Sequence, residues 1–306
     1  MPVREFAPAD AQAWLNVVNP ALGRSITPEQ LRTQDARVKG LNRRWVFEEA
    51  GRVLGVARLN EFPFVPAGFL QASVIVAPEE RGKGVGGQLA AVLRDALPAA
   101  TKGLSVSVRD NDPYSLDWAQ KRGFRQVAHR FASELDLQAF DPAAFQADLN
   151  RAAAQGVTFT TLADADAATL ERYLNLHADR LMETPDLNGH ARWPLRQVRQ
   201  TLHLDDDPHP ERIFLPVSAT GEWLGNTAVV AHGDLAYNEL TAIHPRARGR
   251  GLALPLKVQA IQAMRQAGLK TMRTNNHSLN APMLAVNRRL GFVQKAGAFE
   301  LHLALN

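Results

Sequence analysis

The sequence predicts an α+β protein built as two tandem copies of one fold, and three observations carry that expectation. A short strand, a proline, an Arg-Gly-x-Gly turn and a helix-like stretch occur twice, at residues 72–97 and 239–264, with Arg248 following Arg81 by 167 residues. Lys121-Arg122-Gly123-Phe124 is matched by Arg289-Leu290-Gly291-Phe292, and Gly291 follows Gly123 by 168 residues. Independent landmarks that agree to one residue mark a duplication. The length, 306 residues, fits two domains of roughly 150 residues each.

Each copy reads in order as a strand, two helices, a hairpin, then strand, turn, helix, strand, helix and strand. The opening strands are Val3-Arg4-Glu5-Phe6 and Val157-Thr158-Phe159-Thr160. The hairpins are Arg44–Phe47 with Val53–Leu59, turning at Glu49-Ala50-Gly51, and Ile213–Val217 with Gly225–Val230, turning at Ala219-Thr220-Gly221. Two prolines and three aspartates put the 205–210 loop on the surface. Copy one closes with the β-like run from Phe131 to Leu137. The Ala-rich, helix-like stretch after Asp141-Pro142 reads as a connector. The expected domains are therefore 1–140 and 157–306, joined by 141–156.

Composition narrows the function. Hydrophobic residues are 45% and charged residues 22%, enough apolar material for a sizeable core. No run approaches the roughly 18 apolar residues of a membrane span, and the first residues lack the apolar stretch of a secretory signal. A cytoplasmic protein with no membrane partner is expected. A net charge of +4 is too small to imply nucleic acid, and the Arg246, Arg248 and Arg250 cluster is explained more simply by a ligand carrying several phosphates. The absence of cysteine excludes disulfides, thiolate metal sites and a cysteine nucleophile. His203-x-Asp205-Asp206-Asp207-x-His209 holds ligand-type residues, but its prolines and spacing read as a solvated loop, so no metal is expected. The five tryptophans are scattered and read as core or rim aromatics.

A strand that runs into Arg-Gly-x-Gly and then a helix aims backbone N–H groups at a positive helix end, and glycine lets a ligand approach that backbone closely. Such a loop suits phosphate or pyrophosphate. The P-loop pattern is missing from both copies. Gly82-x-Gly84-x-x-Gly87, with Asp110 23 residues past Gly87, has the form of a dinucleotide fingerprint. Copy two breaks it, since Leu254 stands where the third glycine belongs. The pattern Arg-x-x-Gly-x-Gly/Ala fits both copies, as Arg81, Gly84 and Gly86 and as Arg248, Gly251 and Ala253. Each follows a strand ending in Val76-Ala77-Pro78 or Ile243-His244-Pro245.

In these residues the chain resembles the GNAT acyltransferase superfamily. A second signature lies in copy two, where Asn280-Ala281-Pro282-Met283 leads through Asn287 to Leu290-Gly291-Phe292. The resemblance spans nearly the whole chain, and tandem members are a known arrangement. It implies two mixed, mostly antiparallel sheets flanked by helices, with the fourth and fifth strands splayed around acetyl-CoA as co-substrate. The residues it assigns to the CoA are Val76, Arg81, Gly82, Lys83, Gly84, Val85 and Gly86 in copy one. In copy two they are Ile243, Arg248, Gly249, Arg250, Gly251, Leu252, Ala253, Asn280, Met283 and Asn287.

The acceptor would be an amine of a small molecule or peptide. Transfer needs a neutral amine, a polarised thioester carbonyl and a proton for the leaving thiolate. Without cysteine the acetyl group must move directly. Glu239, six residues before Pro245 on the fourth strand, stands where many relatives keep a base, and Thr241 two residues on is expected on the same face. The matching position in copy one is Ala72, and Asp112 replaces Asn280. The reading is therefore a catalytic second copy and a degenerate first. The family's usual acid, a tyrosine four residues before the Gly of Gly-Phe, is Ala119 in one copy and Asn287 in the other. Tyr237 or water would then serve. Two readings of other classes stay open: a catalytically silent CoA-binding regulatory or scaffold protein, and an NAD-dependent oxidoreductase. The oligomeric state is not legible, although a duplicated chain is compatible with a monomer that forms its own pseudo-dimer.

Overall fold

The computed structural model describes residues 2–23, 25–37, 40–62, 64–187 and 190–305, which form two compact units. One unit is residues 1–127 with 299–306, and the other is residues 128–298. Among the described residues no helix is long and apolar enough to cross a membrane.

In the first unit β1 (Val3–Glu5) leads to α1 (Ala11–Leu22), α2 (Pro28–Arg37), β2 (Asn42–Glu49), β3 (Arg52–Asn60) and β4 (Phe69–Val76). Then come α3 (Val85–Asp95), β5 (Gly103–Arg109), α4 (Pro113–Gln120) and the start of β6 (Arg125–Asp136). The β2–β3 hairpin turns on Ala50 and Gly51, both at positive φ, which is the backbone twist a tight hairpin requires. Alternation along these strands sorts two cores. Val46 and Val56 pack with Trp14, Leu15 and Val18 of α1. Trp45, Phe47, Ala57 and Leu59 pack with Val85, Leu89 and Leu93 of α3, three residues spaced by four along one helix face.

The second unit continues from β6 through α5 (Gln146–Ala154), β7 (Thr158–Thr161), α6 (Ala167–Leu181), α7 (Leu195–Thr201), β8 (Ile213–Val217) and β9 (Gly225–His232). It ends with β10 (Leu235–Ile243), α8 (Ala253–Gln266), β11 (Thr271–His277), α9 (Ala281–Arg289) and β12 (Val293–Ala304). The same two-faced packing recurs. Ile213, Leu215, Ala228 and Val230 meet Tyr173, Leu174 and Val198 of α6 and α7. Phe214, Val229 and Ala236 meet Leu256 and Ile261 of α8.

Strand order in the first unit is β1-β2-β3-β4-β5, closed by the last residues of β12. In the second it is the start of β12, then β6-β11-β10-β9-β8-β7. Only β4–β5 and β10–β11 run parallel among the ladders described; the others are antiparallel. Each unit is thus completed by the final strand of the other half of the sequence. The packing units and the sequence repeat are drawn differently for that reason. Residues 141–156 pack in the second unit, where the buried Asp148 carboxylate of α5 takes Arg151 at 3.0 Å and Arg289 of α9 at 2.7 Å.

Candidate functional site

The two glycine loops fold alike. Arg81 and Arg248 are extended, at φ −65 and ψ 147 and φ −65 and ψ 158. Gly82 and Gly84 follow at φ 80 and 88, and Gly249 and Gly251 at φ 77 and 75, a left-handed backbone open to glycine and costly to other residues. A Cβ built at any of the four would meet nothing within 4 Å, so this face of each loop is open. No side chain caps the first turn of α3 or α8. Their N–H groups stand at a positive helix end, where an anion is stabilised. Val85 and Leu252 anchor the loops from below, buried at the helix starts.

The arginines are held by neighbours. Arg248 pairs with Glu183 and donates through Nε to the Ile243 carbonyl at 3.1 Å. Arg250 reaches Gln155 at 3.0 Å and Arg246 reaches Glu222 at 3.2 Å. In the first unit Arg81 lies 3.5 Å from Asp112 and over the Tyr114 ring, while Lys83 pairs with Glu80.

Above each loop two parallel strands part. The β4–β5 ladder covers Phe69–Gln71 against Gly103–Ser105, and the β10–β11 ladder covers Leu235–Tyr237 against Thr271–Arg273. All four strands then continue unpaired with each other, ending at Val76, Arg109, Ile243 and His277. Along the opening in the second unit, Asn280, Met283 and Asn287 share one face of α9 by their spacing. Asn287 is buried and donates to the Asn276 amide at 2.8 Å, and its own Oδ1 is buried without a partner among the described residues. It holds the position of the family's tyrosine and carries no ionisable proton.

At the point of parting the units differ. The β3–β4 ladder runs in unbroken register from Gly55↔Val76 to Asn60↔Gln71. The β9–β10 ladder has a bulge: Asn238 pairs with Val229 and Leu240 with Ala228, leaving Glu239 as the extra residue. Two expectations are corrected here. Counting back from the proline matched Glu239 with Ala72, but by register Ala72 corresponds to Asn238, and Glu239 has no counterpart. The same extra residue breaks the period of two, so Thr241 does not share the face of Glu239. Its hydroxyl instead donates to Asn238 Oδ1 at 3.0 Å and contacts Thr227 at 2.8 Å.

Glu239 is partly buried, and burial pushes its carboxyl up to about 7, against a small opposing pull from His203. Tyr237, two residues earlier, is pushed up to about 12 by burial and by the Glu239 charge. Around them lies a polar cluster that the sequence reading missed. Tyr173 Oη is 2.8 Å from His177 Nδ1, and Asn226 Nδ2 is 3.4 Å from the same nitrogen. All three residues are buried, and burial holds His177 near 3, so its ring is neutral. Spaced four apart on α6, Tyr173 and His177 read from sequence as ordinary core positions. The 203–209 loop forms surface pairs, His203 with Asp206 and His209 with Glu211. Among the described residues no group of three or more His, Asp or Glu is placed to hold a metal ion.

An opened parallel pair above a glycine loop, twice in one chain, defines an acyltransferase of the GNAT type. The acetyltransferase (GNAT) family matches residues 11–124, and an acetyltransferase (GNAT) domain matches residues 143–274. The chain belongs to the GNAT acetyltransferase family and carries two of its domains in tandem. A mycothiol acetyltransferase of Acidothermus cellulolyticus is 24% identical over 266 residues, covering 81% of this chain and 75% of its own. The crystal structure of a GCN5-related N-acetyltransferase from Sphaerobacter thermophilus superposes with a TM-score of 0.68 at 19% identity, over 99% of this chain and 95% of that one. A tandem GNAT protein from the clavulanic acid biosynthesis pathway gives 0.63 at 20%, over 99% and 98%. At these identities the two structures speak to the fold.

Proposed function

We infer that the chain transfers an acetyl group from acetyl-CoA directly to an amine of a small molecule or peptide, at the second unit. The bulge carries this reading: one carboxylate, Glu239, is the extra residue just past the last β10–β11 pair, where the two strands part. The pyrophosphate would lie on the Arg248–Ala253 loop, and the orphaned Asn287 Oδ1 suits an amide N–H of the pantetheine arm.

The amine arrives protonated. Glu239, ionised in about half the molecules near pH 7, takes that proton directly or through water. The freed nitrogen lone pair forms the C–N bond to the thioester carbonyl, whose electrons move onto oxygen. Backbone N–H groups of β10 on the side that β11 has left would stabilise that oxyanion. Collapse breaks the C–S bond and releases the CoA thiolate, and the nitrogen gives its remaining surplus proton to solvent to leave the neutral amide. A thiol has a pKa of roughly 8.5, well below the value of about 12 at Tyr237. Tyr237 is therefore suited to donate a hydrogen bond to the departing sulfur, and the proton itself comes from solvent. Family membership favours acetyl transfer over a silent scaffold or a nicotinamide enzyme. A cytoplasmic location fits a co-substrate held there.

The first unit keeps the loop and the opened strands, but its β4 has neither a bulge nor a carboxylate. It is read as a CoA-binding domain without turnover. The test is release of CoA thiol on mixing the purified chain, acetyl-CoA and a panel of amines. Because the protein has no cysteine, thiol titration reads the product alone. Acetyl-CoA binding with no thiol released against any amine would replace the enzyme reading with the scaffold one.

A further inference from the structure

Lys257 stands on α8 one residue after Leu256 and is 1% exposed. A lysine is almost never that buried without a partner. Its Nζ donates to Asn238 Oδ1 at 2.6 Å and lies 4.9 Å from the centre of the Phe292 ring, the phenylalanine of the Leu-Gly-Phe corner. Burial pushes its pKa down to about 7, but charged and neutral amines both donate N–H, so the bond survives either state.

Asn238 is the last paired residue before the bulge, and its side chain does what the interrupted ladder cannot. Nδ2 donates to the Ala228 carbonyl at 2.9 Å and to Thr227 Oγ1 at 2.9 Å. Oδ1 accepts from Lys257 and from Thr241 Oγ1. With Thr227 accepting from Asn238 and Thr241 donating to it, the Thr227 hydroxyl proton must point to Thr241, and the ring closes. Thr274 Oγ1 of β11 donates to the Asn238 carbonyl at 3.2 Å, where the parallel ladder has just ended. The ammonium form of lysine is a donor only. It therefore fixes which end of the Asn238 amide faces the helix and leaves Nδ2 for the strand.

The first unit provides the contrast. By register and helix position, Asn238, Thr227, Thr241, Thr274 and Lys257 correspond to Ala72, Ala57, Val74, Val106 and Ala90. All five are apolar, and that strand is unbulged. We propose that Lys257 and Asn238 are positioning residues of the transfer reaction, a buried pin that holds the β10 bulge and so keeps Glu239 turned into the opening. The proposal rests on the reading of Glu239 as the base. Neither residue is required to touch either substrate.

The test uses the full chain with Lys257→Met, Asn238→Ala and the double variant. Methionine nearly matches the lysine stem and removes the cost of burying an amine, while Asn238 Oδ1 keeps Thr241 as its donor. For Lys257→Met the expected result is an unchanged or higher melting temperature, whereas Asn238→Ala, which strips the buried Lys257 amine of its partner, should melt lower; acetyl-CoA affinity by calorimetry should be unchanged in all three. With them should come a fall in kcat of up to about a hundredfold, and a double variant no worse than the poorer single one. Crystal structures should show the bulge lost or shifted away from Glu239. A bulge retained in both single variants overturns the proposal, whatever the activity. So does a kcat within about twofold of the parent. If the parent itself transfers no acetyl group, the functional reading fails, while the crystallographic arm still decides whether the pin holds the bulge.

Discussion

The two units carry the same loop, but β10 of the second holds one residue more than the matching stretch of β4. Both set an extended arginine before two left-handed glycines, and both part their parallel strands three pairs in. In β4 the ladder continues flat, with Ala72 packed into an apolar core; in β10 one inserted residue bulges, and a carboxylate occupies it. On the proposed reading, the duplication separates two jobs that a single domain combines. Binding an anion needs only glycines and a helix start. On the same reading, proton transfer uses the bulged strand, and that irregularity brings buried polar groups that need partners.

The comparison breaks most sharply if the extra residue is removed. Deleting Glu239 should flatten β10 into the form of β4, removing the base and misaligning the oxyanion donors. Turnover should fall by more than about a thousandfold, with acetyl-CoA binding retained in calorimetry. Substantial residual turnover would return catalysis to the first unit. A smaller effect is expected at the loops. Arg248→Ala should raise the KM for acetyl-CoA about tenfold or more, from loss of a charge-assisted contact. Arg81→Ala should leave steady-state kinetics unchanged. Equal effects of the two would remove the functional asymmetry.

Gly251→Ala and Gly84→Ala should each cost about 1–2 kcal/mol by forcing alanine into left-handed backbone, measured by chemical denaturation. Only the first should also weaken turnover at limiting acetyl-CoA. A separate effect is a pH dependence of stability. The Lys257 amine is lowered in the fold from its ordinary 10.5 to about 7. The unfolded chain therefore holds the extra proton between those values, and folding stability rises with pH across that window. Glu239 acts in a lower window. Its carboxyl is raised from 4.5 to about 7, so the fold holds the extra proton and stability falls as pH rises between them. Lys257→Met should flatten the upper window and leave the lower one in place, as read from denaturation midpoints.

What the sequence made legible follows from what repeats. Arg-Gly-x-Gly and the later Gly-Phe occur twice because both copies need the same backbone at those turns, and the hairpins and helix faces follow from simple periods. Three features escaped for physical reasons. The exchange of β6 and β12 between units leaves no mark, because a final strand has the same pattern whichever sheet it completes. The bulge defeated a count back from Pro245, which assumes a uniform ladder. Its trace is the adjacent polar pair Asn238-Glu239 within the strand. Lys257 reads as a surface lysine on a helix, and only the fold shows that α8 is buried there.

The most direct test is the pH dependence of kcat/KM for the parent and Glu239→Gln, measured over the same range at saturating acetyl-CoA. Tyr237, Tyr173, His177 and His203 are the titratable neighbours of Glu239. The two tyrosines are raised above neutrality and His177 lies near 3, so none of these three titrates near 7. The account predicts an ascending limb centred near 7 in the parent. In the variant the rate should fall by about a hundredfold or more and that limb should vanish. A variant that keeps both the rate and the limb would contradict it.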